Sequence, residues 1–374
     1  MHMGYLLKPG MAVALLWAVS NPAFAVTCTY LDGIRPAVGA MPLLGSAITV
    51  GREVPLGTEV YRQTFRVASG QAVKLECLYA PYQQHTELTV DGGFLLANWS
   101  SGKYANKVYS TNLPGLGIAF NSVGGPLPRQ SSKAWTACTA GKNCIVPFDG
   151  PSNFELLLIK VGEVTPGVLR GDTLPGVSLF GNFGDARMLG FRMGISGNLR
   201  IVSKTCSTPA VAVPMGKYKT KDFSGINSAT GWKDFSIRLN DCPAFHGTVS
   251  TTAASWISQS GTSPGGTAGA ISRDNNRLRY RIDPVRTAIN AGSGVLSLDP
   301  SAAGRPPAAT GIGLQIATQA GNALPLANLQ SSGLGLSSFE TSYSIPLRAR
   351  YLQTGGKVTP GPANASATFT ISYE

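Results

Sequence analysis

The sequence predicts an all-β protein built from two sandwich-type domains. Short runs of alternating apolar residues recur between clusters of Gly, Pro, Asn and Ser. The 374 residues include 45 Gly and 25 Pro, a turn-rich composition. No long stretch of helical period interrupts this pattern, and no internal repeat is visible.

Hydrophobic residues make up 43% of the chain, enough to build cores, so a wholly disordered chain is excluded. Charged residues are only 13%, with a net charge of +12. The length suits two domains better than one. The first 25 residues read as a signal peptide. Lys8 supplies the positive region, Met11 to Val19 the short apolar run, and Ala23-Phe24-Ala25 the cleavage site, so the mature chain is expected to start at Val26. That run is shorter than the roughly 20 apolar residues of a transmembrane helix.

The strand candidates follow in order. Thr64–Val67, Val73–Leu78, Leu88–Val90, Phe154–Val161 and Phe191–Ile195 alternate or run apolar between turn residues. Asn198–Val202 reads as the last strand of a first domain, 26–205, and the break falls near Lys204 to Cys206. Thr208–Pro214, between two prolines, reads as the first strand of a second domain, 206–374. Ser258–Ala270 and Ser301–Thr310 lack apolar periodicity and read as loops. In Arg273–Arg286, Arg277, Arg279 and Arg281 alternate with Leu278, Tyr280 and Ile282, a strand with one buried and one cationic face. At the end of the chain, Ala367, Phe369, Ile371 and Tyr373 alternate with Thr368, Thr370, Ser372 and Glu374. A terminus usually frays unless it is tied down, so an apolar face running to the penultimate residue predicts a docked strand.

Export permits disulfides. Clustering along the chain suggests Cys28–Cys77, Cys138–Cys144 and Cys206–Cys242, although six cysteines allow fifteen connectivities. No Cys-x-x-Cys is present and no His stands at ligand spacing, so neither a metal nor a cofactor is expected.

The C-terminal half resembles the pilins of chaperone–usher fimbriae. The alternating last strand with its penultimate tyrosine resembles theirs. Ala309-Thr310-Gly311-Ile312-Gly313-Leu314-Gln315-Ile316 resembles the pilin strand with a Gly-apolar-Gly-apolar-Gln pattern, and Ser344–Tyr351 the strand before the last hairpin. Cys206 and Cys242 match the single pilin disulfide. The resemblance covers about residues 206–374. It implies an immunoglobulin-like sandwich lacking its final strand, with an open groove that another chain's strand fills. The implied groove residues are Phe369, Ile371 and Tyr373, with Val211 and Val213 on the opposite wall. The implied partners are a periplasmic chaperone, the outer-membrane usher and the next fimbrial subunit.

About 180 residues precede that half, too many for a donor extension. The order of signal, β domain and pilin domain resembles a two-domain fimbrial tip adhesin, such as the Bordetella-type minor fimbrial subunit and the type 3 fimbrial adhesins. The resemblance implies a lectin-like N-terminal domain that binds a host glycan or matrix glycoprotein, and a place at the tip of a surface fimbria. A non-adhesive tip adaptor or assembly initiator is the alternative.

Charge gives a separate handle. Between Gly92 and Phe148 lie Lys103, Lys107, Arg129, Lys133 and Lys142 with no acidic residue, interleaved with Trp99, Tyr104, Tyr109 and Trp135. Lys103, Lys107 and Tyr109 are expected on one face of a strand. Lys103, Tyr104, Lys107, Tyr109, Arg129 and Lys133 form a candidate site for an acidic or sulfated glycan. The alternative is a solvated basic surface with core aromatics, and Trp135, beside Cys138, is expected in the core. Nucleic acid is not an expected partner, since no motif for it is present. His85 and His246, the only histidines left after the signal, fall in different domains. No G-x-S-x-G, Walker A or H-E-x-x-H motif occurs, so no enzyme activity is expected. His85, in a polar run, is read as a surface or ligand-edge residue.

Overall fold

In a computed structural model of the chain, described for residue 1 and for 26–374 except 32, 34, 69–72, 79–81, 136–142, 148–152, 249–251 and 259–265, the protein is all-β. Short 3-10 turns at Gly171–Thr173 and Thr220–Asp222 are the helical elements among these residues. Residues 2–25 of the expected signal segment, Cys138 and Lys142 lie outside the described residues.

Two sheets face each other in the N-terminal half. One runs in the order 129–130, 83–90, 177–183, 186–196 and 37–42, and 134–135 also pairs with 83–90. The other contains 59–67, 153–160, 116–122 and 109–110. Period-2 alternation drives the first sheet: Leu88, Val177, Leu179, Phe191 and Met193 turn inward and are buried. The centre of the interlayer is aromatic. Phe65 and Phe154 from the second sheet meet Phe191 from the first, with ring centroids 5.1–5.9 Å apart. Asn153–Lys160 is buried on both faces. Phe154, Leu156 and Leu158 enter the interlayer, while Leu157 and Ile159 are covered by Tyr104, Val108 and Ala119.

The C-terminal half has a sheet ordered 233–242, 341–353, 312–318 and 295–296, and a second ordered 330–331, 278–284 and 367–373. Ile237, Leu239, Ile345 and Leu347 pack against Leu278, Tyr280, Ile282 and Tyr373. Leu278, Tyr280 and Ile282 are buried and Arg281 is exposed, matching the two-faced reading of that strand. Cys28–Cys77 and Cys206–Cys242 are bonded as clustering suggested. Cys144 is also disulfide-bonded.

Two expectations are corrected. Thr208–Pro214 has no regular structure and joins no ladder. Pro209 and Pro214 lack the N–H that a ladder needs, and among the described residues the bridge beside this segment is Ser207 with Asn240. Ser258–Ala270 is not simply a loop. Gly266–Ala268 pairs antiparallel with Ala254–Ser258, which lies parallel to Glu59–Val67 and so extends a sheet of the N-terminal half.

That ladder crosses the junction between the halves, and buried polar groups reinforce it. Asn276 Oδ1 accepts from the Gly247 N–H at 2.9 Å, and its Nδ2 donates to Thr49 O at 3.1 Å. The Thr49 N–H in turn donates to Gly247 O at 3.0 Å. Asn276→Ala would strand the Gly247 donor, and an orphaned buried donor costs about 1–3 kcal/mol. Urea unfolding should show a loss of that size, with faster hydrogen exchange at Thr49. An unchanged exchange rate at Thr49 would show that the junction does not depend on Asn276.

Candidate functional site

The C-terminal half places two features side by side. The first is the edge of the terminal strand, Ala367–Tyr373, which pairs with Leu278–Pro284 on one side only. Arg277 and Glu374 exchange both backbone hydrogen bonds, at 2.7 and 2.9 Å. Antiparallel geometry alternates bonded and non-bonded pairs. Thr368, Thr370 and Ser372 therefore aim their backbone groups at Leu278–Pro284, while Ala367, Phe369 and Ile371 aim theirs at the open side. No strand among the described residues pairs along that side.

The second feature is a cavity of about 720 Å³ beside that edge, lined mainly by apolar side chains including Val211, Val213, Phe235, Ile282, Leu314 and Phe369. Ile371 packs half-buried against the core and does not line the cavity. Tyr373 is buried beyond it, stacked on Phe245 at 6.3 Å, and its hydroxyl accepts from the Cys206 N–H at 3.1 Å. Burial pushes the Tyr373 phenol up. The N-terminal half stops the open edge at this end. Glu53 Oε2 accepts from the Tyr373 N–H at 3.4 Å, and a Cβ on Gly51 would stand 1.7 Å from Tyr373 O. Only glycine permits this approach.

The basic segment is arranged differently from the expected strand. Residues 103–106 form a turn, with Asn106 at φ 57°, and the strand is confined to Tyr109–Ser110. Lys103, Lys107 and Tyr109 therefore do not share a strand face. Tyr104 is buried because it covers Leu157 and Ile159, and its hydroxyl donates to Glu59 Oε1 at 3.2 Å. Burial and the Glu59 charge push its phenol up. Lys103 lies over the Tyr104 ring at 5.1 Å. Lys107 Nζ donates to Pro126 O and Pro128 O, each at 3.0 Å. Arg129 donates to Val123 O at 2.8 Å. Tyr109 is half-buried and Lys133 is exposed. The segment is a lid on the second sheet, and its cations largely close their own loops.

The outer face of the first sheet was not singled out as a whole by the sequence. Gln83, His85, Glu87 and Thr89 share that face, opposite the buried Leu88. Trp135 stands opposite Gln83, His85 opposite Asn182, and Glu87 opposite Phe180. Trp135 is corrected from core to surface, at 67% exposure. Glu87 accepts from Gln130 Nε2 at 2.6 Å and from Arg187 at 3.2 Å. Partial burial pushes its carboxyl up, but the hydrogen bonds from Arg187 and Asn182 and the Arg187 charge outweigh this and hold it below the usual carboxylate range. A depressed carboxyl stabilises the fold above its unfolded pKa, and that contribution is lost as pH falls through the folded value. Glu87→Gln should therefore flatten the acid limb of the stability profile below about pH 4, read by thermal melts across that range. An unchanged acid limb would show that Glu87 gains nothing from these partners.

A fimbrial protein family model matches residues 193–374. The type-1 fimbrial protein A chain of Escherichia coli K12 is 31% identical over 183 residues, covering 46% of this chain and 79% of that one. The fimbria adhesin protein of Klebsiella pneumoniae is 24% identical over 333 residues, covering 87% of this chain and 88% of that one. Among solved structures, the CupB6 tip adhesin from Pseudomonas aeruginosa is 14% identical, with a TM-score of 0.32, covering 93% of this chain and 94% of that one. The matched span contains the one-sided terminal strand and its cavity, and on the 31% identity to the Escherichia coli type-1 fimbrial protein over 79% of its length the chain belongs to the fimbrial protein family.

Proposed function

We propose that the chain is a fimbrial tip adhesin, anchored through its C-terminal half and binding a host glycan or matrix glycoprotein through its N-terminal half. The boundary of these roles falls near residues 204–206. The observation that carries the anchoring role is the unpaired edge of Ala367–Ile371 beside the apolar cavity. An extended segment with alternating apolar residues suits both at once. Its backbone pairs with the edge, and its side chains enter between Phe369 and Val211.

A periplasmic chaperone strand is the first occupant and the extension of the next subunit the second, with the usher presenting one to the other. The chain so capped stands at the fimbrial tip on the cell surface. The similarity to a Klebsiella fimbria adhesin spans both halves, which supports reading the N-terminal half as the receptor-binding part. The Lys103–Lys133 segment would contribute attraction to anionic surfaces, which salt screens.

The test is uptake of a donor-strand peptide by the full chain. A peptide with alternating apolar residues should bind one to one and raise Tm. At a hundredfold excess over Kd the gain is about 2.7 kcal/mol. A scrambled peptide should do neither. A full chain that ignores both peptides would overturn the anchoring reading.

A further inference from the structure

We propose that the outer face of the first sheet is a binding platform for a neutral saccharide, with Trp135 as the stacking surface and the His85, Asn182, Glu87 and Arg187 cluster as the hydroxyl-recognising surface. The inference rests on the adhesin reading and gives it a site.

Trp135 carries the argument first. An aromatic ring of its size normally goes to the core or finds a partner surface. Here it lies 67% exposed on the two-residue strand Ala134–Trp135, at the edge of a polar face. Its cross-strand neighbour is Gln83, and His85 is the next residue on that face. Such diagonal neighbours lie about 7–8 Å apart, so one sugar ring stacked on the indole reaches the polar cluster without bending.

The cluster is ordered before any ligand arrives. Arg187 lies 3.5 Å from the Phe180 ring centroid and bonds Glu87, whose other oxygen accepts from Gln130. The Asn182 amide nitrogen is 3.2 Å from His85 Nε2. The His85 and Glu87 side chains are only 16% and 18% exposed, so their orientations are fixed by neighbours. Arg187 keeps 49% of its side chain exposed, and its guanidinium holds more donors than Glu87 uses. Side chains ordered beforehand cost little to present, which is what a weak ligand with many hydroxyls requires.

Charge selects the class of sugar. Arg187 and Glu87 neutralise each other, and an acidic sugar would meet the Glu87 carboxylate. Alternating donors and acceptors beside one open ring face match uncharged hydroxyls. The Lys103–Lys133 segment, by contrast, would favour anions.

The experiment presents the full chain to an array of neutral hexosides and N-acetylhexosaminides with their sialylated and sulfated counterparts. Neutral glycans should bind, and binding should persist at high salt. Trp135→Ala and Asn182→Ala should each weaken it about tenfold or more, Trp135→Ala with Tm unchanged, and Trp135→Phe should recover part of the loss. Binding confined to acidic or sulfated glycans, or unaltered in Trp135→Ala, overturns the platform and leaves the adhesin reading standing. Binding to no glycan, with specific capture by a matrix protein that Trp135→Ala does not alter, has the same consequence. Binding to neither overturns both.

Discussion

Tyr373→Ala is expected to destabilise the C-terminal half by about 3–5 kcal/mol, the cost of removing a buried aromatic side chain. The ring is 5% exposed and stacks on Phe245 in the core shared by the two C-terminal sheets. Its hydroxyl accepts from the Cys206 N–H, so the substitution also strands a donor beside the Cys206–Cys242 disulfide. A domain is stable by only about 5–15 kcal/mol, so the loss is a large fraction of the total. Tyr373→Phe isolates the hydroxyl, and only the orphaned donor remains, at about 1–3 kcal/mol. Urea midpoints of the two variants should fall in that order. Because the ring lies beyond the cavity, Tyr373→Phe should leave donor-peptide affinity nearly intact. A loss under 1 kcal/mol in Tyr373→Ala would show that the terminal strand is not tied to the core at this point.

The second large effect belongs to the N-terminal half. Phe154 sits between Phe65, Phe120 and Phe191, with centroids 5.2, 5.9 and 5.9 Å away, and is 1% exposed. Its strand is the central member of its sheet, flanked by Glu59–Val67 and Leu116–Ser122. Phe154→Ala leaves a cavity that hydrogen-bonded neighbours on both sides cannot easily close, and about 3–5 kcal/mol is expected. The N-terminal transition should shift to lower urea, while the donor-peptide response of the C-terminal half should persist. Loss of the peptide response in Phe154→Ala in step with the N-terminal transition, under conditions where the unsubstituted chain still responds, would show that the two halves unfold as one.

Much of the fold is legible where the pattern is local. The alternation of Phe369, Ile371 and Tyr373 is a period-2 signal that survives any long-range context, and the structure docks that strand. Phe154–Val161 is similarly self-declaring, because a central strand is apolar on both faces. Thr208–Pro214 also shows alternation, yet its prolines and the lack of a partner strand among the described residues leave it without a ladder. Ala254–Ser258 and Gly266–Ala268 fail in the opposite way. Gly266–Ala268 is short and small-residued, and Ala254–Ser258 is only five residues long; pairing of the second with Glu59–Val67 across the junction, and of the first with the second, makes them strands.

The candidate binding residues divide along the same line. Of the residues expected to line a groove, Val211, Val213 and Phe369 line one cavity, whereas Ile371 and Tyr373 pack against the core. Tyr104 looked like a recognition aromatic beside Lys103. The need to cover Leu157 and Ile159 takes it inside, and no neighbour in sequence announces that. Trp135 errs the other way, since proximity to a cysteine does not establish burial. The His85 and Glu87 alternation was readable as a polar face, but Asn182 and Arg187 join it only through strand pairing about a hundred residues distant.

The parallel alignment of Ala254–Ser258 with Glu59–Val67 sets how the molecule bears load. When the two ends are drawn apart along those strands, the hydrogen bonds between them are sheared together rather than peeled one at a time. Such a joint fails late and abruptly, so a pull on one end reaches the other through a stiff coupling instead of a slack hinge.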